Sequence, residues 1–263
     1  MRKVIFTFAL LGIFALMNGQ KAGNGVLLSG EVIYQEIVQL DIQLEGVDAQ
    51  IAEQLPKERK TEKVLHFTEQ EALYETLQKD DPEEHVPMEG GGMMIRMYEP
   101  DDKTYMDLAG KQMIEQKEFM TRIFLIESEL EPEAWKITGE QRKILEYACQ
   151  EAVTQVNGNE VHAWFTPQIA VGVGPGPYTG LPGLVLAVES DEGDRKLEAI
   201  QLELKPIEEG VIERPGKGKK VSREEYQAIV AEKLKEMGVE GDGTWNDDGG
   251  ANHTSTVVIR IQQ

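Results

Sequence analysis

Cys149 is the only cysteine of the chain, and His162 is the histidine nearest to it in sequence. A thiol becomes a nucleophile when a base draws off its proton, so this pair is the first to weigh for covalent chemistry. Asn157-Gly158 lies between them and is a strong signal for a two-residue hairpin. A hairpin closed there pairs residues whose numbers sum to about 315, so that His162 faces Val153 and Cys149 faces Thr166. Four strand positions at about 3.4 Å each then hold thiol and imidazole apart. Cys149 shares its face with Leu145, Tyr147 and Val153 and reads as a core cysteine. The sequence contains no H-E-x-x-H, G-x-S-x-G or phosphate-binding loop. His66, His85, His162 and His253 stand far apart, and the acidic loop from Asp242 to Asp248 lacks the spacing of an EF-hand. The expectation is a protein with no catalytic residue, no cofactor and no enzymatic activity.

Methionine offers a second chemistry. Met88, Met93, Met94, Met97, Met106, Met113 and Met120 crowd one third of the chain. Thioethers select soft Cu(I), and Gly90-Gly91-Gly92 gives Met93, Met94 and Met97 a flexible setting. Methionine also fills irregular gaps in a core, and Met106 and Met113 alternate as core residues do. A Cu(I)-handling protein using Met93, Met94 and Met97 is therefore the alternative function.

The third feature is Gly180-Leu-Pro-Gly-Leu-Val185, behind Trp164-Phe-Thr-Pro167 and the Gly/Pro-rich run from Gly172 to Thr179. Pro182-Gly183 suits a type II turn with positive φ at the glycine, sending Leu181, Leu184 and Leu186 into the core. The run from Gly172 to Gly180 is apolar and free of charge, with Tyr178 in it, and so also reads as a loop that docks a partner.

The elements that must position these residues are mostly strands. Ser29 to Leu44 alternates as a long strand, and Gly46-Val-Asp48 opens a short helical stretch. Thr61–Thr68 and Ala72–Gln78 follow, then an acidic loop from Asp80 to His85. Met93–Tyr98, Thr104–Leu108, Lys111–Lys117 and Met120–Ile126 read as short strands between turn signals. Trp135–Thr138 is a strand turned by Gly139-Glu140. Arg142–Val156 and Val161–Phe165 make the Asn157-Gly158 hairpin, and Leu184–Glu189 pairs with Leu197–Leu204. Ser222 with Glu225 forms a capping box, and Tyr226, Ile229, Val230, Leu234 and Met237 share one helical face. Such spacing predicts a mainly β (α+β) protein: an antiparallel curved sheet or incomplete barrel with a few helices, one near the C-terminus.

Arg2-Lys3 followed by the apolar run from Val4 to Met17 predicts a cleaved signal peptide over residues 1–20 and a periplasmic location. Residues 21–205 then form the β domain. Residues 206–263 add a basic linker, an amphipathic helix, an acidic Gly/Asp loop and a final strand. No later stretch is apolar enough to cross a bilayer as a helix. The formal net charge of −20 argues against nucleic acid and anionic membrane surfaces.

The segment from Trp135 through Ala187 resembles the GLPGLI family of exported Bacteroidota proteins, which carries no established chemistry. The matching pieces are Tyr105-Met-Asp107, Trp135-Lys-Ile-Thr-Gly-Glu140, Ile144 with Tyr147 and Cys149, Ala163-Trp-Phe-Thr-Pro167, Gly174-Pro175 and Gly180 to Val185. The β pattern is similar, at the level of fold, to periplasmic lipoprotein carriers of the LolA/LolB type, where a bent sheet covers a hydrophobic cavity. These likenesses imply a non-enzymatic envelope protein that binds an apolar ligand or an envelope protein partner. Trp164, Phe165, Tyr178, Leu181, Pro182 and Gly183 would line or gate the concavity.

Overall fold

The computed structural model describes residues 28–40, 56–77, 83–87, 94–156, 158–190 and 193–236. The expected leader, the helical stretch after Gly46, the triple-glycine hinge, Met93, the Gly/Asp loop and the last strand lie outside the described residues. The first strands are β1 (Gly30–Gln39), β2 (Glu58–Phe67), β3 (Glu71–Thr76), β4 (Glu83–Pro87), β5 (Met94–Tyr98), β6 (Lys103–Asp107), β7 (Gln112–Phe119) and β8 (Arg122–Glu129). They are followed by β9 (Lys136–Ile144), β10 (Tyr147–Val156), β11 (Asn159–Thr166), β12 (Leu184–Ser190), β13 (Arg195–Leu204), β14 (Lys219–Val221) and the helix α1 (Arg223–Glu236).

Twelve strands join in one sheet, in the order β14-β8-β7-β6-β3-β2-β1-β13-β12-β11-β10-β9, and β4 pairs with β5 separately. The chain starts at the middle of the large sheet and runs outward to β8. It crosses to the far edge at β9 and returns inward until β13 pairs with β1. The crossing from Glu129 to Lys136 contains six residues. Seven steps of extended chain reach about 25 Å. Ten inter-strand spacings of a flat sheet would require about 48 Å. The sheet therefore curls, bringing its two wings towards each other, and it is open because its edge strands, β14 and β9, do not pair. The predicted curved, mainly antiparallel sheet is what the chain forms.

Alternation builds the inner face. Val32, Tyr34, Glu36 and Val38 are buried along β1, with half-buried residues between them. The register sets Leu65 against Val32 and Lys63 against Tyr34. The core then draws on both wings, from Phe67, Ala72 and Met106 to Ala163, Leu186 and Leu197.

Four local expectations fail for identifiable reasons. The stretch from Asp80 to His85, expected as a loop, contributes Glu83–Glu84–His85 to β4. Met120, expected to begin a strand, forms with Thr121 the turn between β7 and β8, both with positive φ (49° and 65°). Gly139-Glu140 does not reverse the chain. Gly139, with φ of 97°, sits inside β9, where the register with β10 shifts. The reversal comes at Leu145-Glu146, with Leu145 at φ of 52°, so Arg142 belongs to β9 and not to the strand that carries Cys149. Leucine at positive φ is disfavoured, and pairing on both sides holds it there.

The C-terminal part joins the sheet. β14 lies parallel to β8, and α1 packs on them through Phe124, Ile126, Val221, Tyr226 and Val230. The capping box is present in both directions. Ser222 Oγ accepts the Glu225 N–H at 3.2 Å, and the Glu225 carboxylate accepts the Ser222 N–H at 3.2 Å.

The inner face also buries a charged cluster. The buried Glu36 carboxylate accepts Arg195 Nε–H at 2.7 Å and the Thr61 hydroxyl at 3.2 Å, with Lys63 Nζ at 3.8 Å. Burial alone would raise the Glu36 pKa, but Arg195, Lys63 and Arg59 outweigh it and hold the carboxyl at about 2. Its folded value lies below the unfolded one near 4.5, so its stabilisation is complete above that pH and is lost as pH falls toward 2. Glu36→Gln is expected to lower stability at pH 7 by about 3 kcal/mol, since Arg195 loses its buried counter-charge. It is also expected to flatten the acid limb of the stability curve between pH 4.5 and 2. Denaturant melts across pH check this, and parallel acid limbs for both proteins would show that Glu36 does not govern acid unfolding.

Candidate functional site

The connection from Thr166 to Leu184 is the most unusual piece of backbone. It lies against the core, with Ile169, Val171, Val173, Tyr178 and Leu181 all buried in the main cluster. Its backbone is tied down by Leu184 N–H to the Ile169 carbonyl at 3.0 Å and by Val185 N–H to the Val173 carbonyl at 2.9 Å. The chain thus supplies its own filling for the sheet. The run from Gly172 to Gly180, offered above as a docking loop, spends most of its apolar surface on this packing.

The nominated contact residues separate accordingly. Phe165, Tyr178 and Leu181 are core side chains at 1–3 % exposure, not the lining of an open concavity. Pro182 is exposed. Trp164 is half-buried on the sheet surface. Its indole N–H donates to Glu189 Oε1 at 3.2 Å, and the Arg142 guanidinium carbon lies 4.3 Å from the ring centroid. Gly183 is buried but is not among the glycines of positive φ, so the expected type II geometry is absent. Its requirement is space, because a β-carbon there would overlap the Thr166 carbonyl oxygen. The positive φ belongs to Gly180, at 89°.

The Cys149–His162 expectation holds in its register, with His162 opposite Val153. His162 Nδ1 lies 2.9 Å from Glu151 Oε1 and its Nε2 3.4 Å from Glu160 Oε1, so carboxylates flank the imidazole. Cys149 is 1 % exposed, and burial pushes its thiol up to about 11, against smaller opposing effects of a backbone hydrogen bond at Ile144 and the Arg142 charge. Met106 and Met113 are core residues. Met94 and Met97 fall on β5, opposite Pro87 and Glu84 of β4.

The curl of the sheet creates a different site. A cavity of about 1000 Å³, open to solvent, lies where the β6–β7 turn, the end of β8 and the β8–β9 crossing meet the Gly172–Gly180 loop. Asp107, Ser128, Glu129, Glu131, Thr179 and Gly180 are among its lining residues. Ser128 Oγ and Thr179 Oγ1 are both buried and make no hydrogen bond among the described residues. Each hydroxyl offers one donor and two acceptor sites, and both oxygens are closed to solvent on residues that line the cavity. The wall is held in place. Trp135 Nε1–H donates to the Thr179 carbonyl at 2.8 Å, Gly180 N–H to the Gly172 carbonyl at 3.3 Å, and Gly180 packs against Pro132. Asp107 is fixed by accepting the Gly110 N–H at 2.7 Å. Among the described residues no three His, Cys, Asp or Glu side chains are placed to share a metal ion. Sequence reasoning passed over Ser128 and Thr179, since neither lies in a recognisable motif. The only trace was the acidic run Glu127-Ser-Glu-Leu-Glu131 at a strand end.

The family model of the N-glycanase peptide, N-terminal domain, matches residues 58–227, a span that holds every lining residue of the cavity. Two solved structures of PNGF-II share the fold, one in space group P21 and one in C2. Each superposes with a TM-score of 0.50, at 17 % and 18 % identity, and each covers 77 % of this chain. The chain spans about a third of those proteins, 33 % and 32 %. No curated protein matches the sequence. These findings overturn the resemblance to GLPGLI and LolA/LolB proteins and run against the expectation of no enzymatic activity, because the matched domain is that of an N-glycanase. The physical reason is that Gly180–Val185 specifies one close crossing of backbones, a constraint too local to define a family.

Two outcomes test this packing. Gly183→Ala should cost about 1–3 kcal/mol by overpacking, and Gly183→Asn at least as much, read as lowered melting temperatures. A milder asparagine would instead indicate a left-handed backbone there. Cys149 should resist a thiol reagent at pH 8 in the folded protein and react at once in denaturant. Rapid labelling of the folded protein would contradict a buried, protonated thiol.

Proposed function

The chain belongs to the family of the N-glycanase peptide, N-terminal domain, and on that premise we propose that it handles the sugar of N-linked glycans. The cavity between the β8–β9 crossing and the Gly172–Gly180 loop is the binding site in this reading, and the domain contributes recognition to the removal of such glycans. The observation that carries it is the pair of buried, unbonded hydroxyls, Ser128 Oγ and Thr179 Oγ1, both on residues lining an accessible cavity inside the matched span.

A sugar matches these groups chemically. Its hydroxyls donate and accept at once, so one ring can satisfy both protein hydroxyls, once their side chains rotate toward it, and still donate to the carboxylates of Glu129, Glu131 or Asp107. Leu108, Leu130 and Pro132 give the same cavity apolar surface for the C–H faces of the ring. Charge-assisted bonds to carboxylates fix orientation, and the site is shaped before the ligand arrives because Trp135 and the Gly180–Pro132 contact hold its wall. The Arg2-Lys3 start and the apolar run from Val4 to Met17 support export. Among the described residues no helix is long and apolar enough to cross a membrane.

Isothermal titration of the full chain with a free, neutral N-glycan oligosaccharide tests the reading. Saturable binding is expected, weakened about tenfold or more in the double variant Ser128→Ala/Thr179→Val, since each lost hydrogen bond is worth about 1 kcal/mol. Trp164→Phe, on the sheet surface away from the cavity lining, should bind as the parent does. Absence of binding by the parent, or equal binding by the double variant, would overturn this assignment.

A further inference from the structure

We infer that the cavity discriminates by charge, favouring neutral glycans over glycans that carry carboxylates such as terminal sialic acid. This rests on the glycan-binding reading above. Four carboxylates line the cavity, those of Asp107, Glu127, Glu129 and Glu131, against the single cation of Lys111. Four negative charges and one positive leave a net charge of −3 on the lining.

The four carboxylates are not equivalent. Glu127 is engaged by Lys220 Nζ at 2.7 Å, and Asp107 holds the Gly110 N–H at 2.7 Å. Glu129 and Glu131 are exposed and make no ion pair or hydrogen bond among the described residues. They therefore present uncompensated charge on the lining. Thr179 belongs to the same lining, where the sugar is held in the reading above. A charged ligand in this cavity feels these carboxylates over the Debye length, about 8 Å at physiological salt. Each unscreened like-charge contact at such range weakens binding by about twofold in water, so several together give about fivefold at low salt. Lys111 offers one opposing charge and cannot reverse the sign.

The test is titration of the full chain with two probes, a neutral N-glycan and the same glycan bearing terminal sialic acid, in about 20 mM and about 300 mM sodium chloride. The neutral glycan should bind about fivefold more tightly at low salt, and the ratio should shrink at high salt as screening takes over. In Glu129→Gln/Glu131→Gln, the low-salt ratio should fall to within about twofold of unity. Equal affinity of the parent for the two probes at low salt would overturn charge selection while leaving glycan binding intact. A ratio that survives the double substitution would overturn the role of these two residues. Failure of both probes to bind would remove the glycan reading and this inference together.

Discussion

A six-residue crossing between β8 and β9 governs the rest of the architecture. It forbids a flat sheet, because strands ten positions apart must have ends within reach of a short chain. Once the sheet curls, its inner face has to be filled from within the chain. The connection between β11 and β12 does this, laying Ile169, Val173, Tyr178 and Leu181 against residues from both wings. All of β12 from Leu184 to Val188 is buried as a result. The same curl sets the crossing itself beside the Gly172–Gly180 loop, which is why a cavity exists where Glu131 and Pro132 face Thr179 and Gly180. Fold and site are consequences of one length constraint.

The inner face is held by two means side by side on β1. Tyr34 O–H donates to the Val185 carbonyl at 2.6 Å, and its ring sits edge-on to Tyr74. Two residues along, Glu36 is surrounded by cations and cannot be protonated without costing Arg195 its counter-charge. A buried ion pair of this kind adds little net stability over an apolar core, yet breaking it by removing one partner costs a great deal. It fixes which residues of β1, β2 and β13 must meet, and so sustains the register on which the curl depends.

Strand periodicity and turn signals made much of this legible. The alternation of β1, the Asn157-Gly158 hairpin with its register, and the Ser222–Glu225 capping box could all be read from residue types because each is a local rule. Where the reading failed, tertiary pairing had overridden local preference. Leu145-Glu146 and Met120-Thr121 turn the chain without turn residues, and Gly139, a strong breaker, stays inside a strand. The candidate site was less legible. Aromatic and Gly/Pro residues drew the eye to Phe165, Tyr178 and Leu181, yet their conspicuousness reflects core packing. Ser128 and Thr179 are fifty-one residues apart, and only the curl of the sheet brings them to one cavity. No spacing rule could have joined them.

The irregularity at Gly139 has a use beyond local geometry. β9 forms one edge of the sheet, exposed along most of its length, with Ile137 49 % exposed. A straight exposed edge is an invitation for another chain to add a strand and begin an aggregate. The residues Thr138, Gly139 and Glu140 stand opposite the single position Glu151, so the outward ladder of donors and acceptors is broken midway. Lys136, Arg142 and Lys143 add charge along the same edge. Runaway polymerisation through this edge is thereby discouraged at the level of the backbone, and the twelve-stranded sheet does not offer β9 as a continuous template.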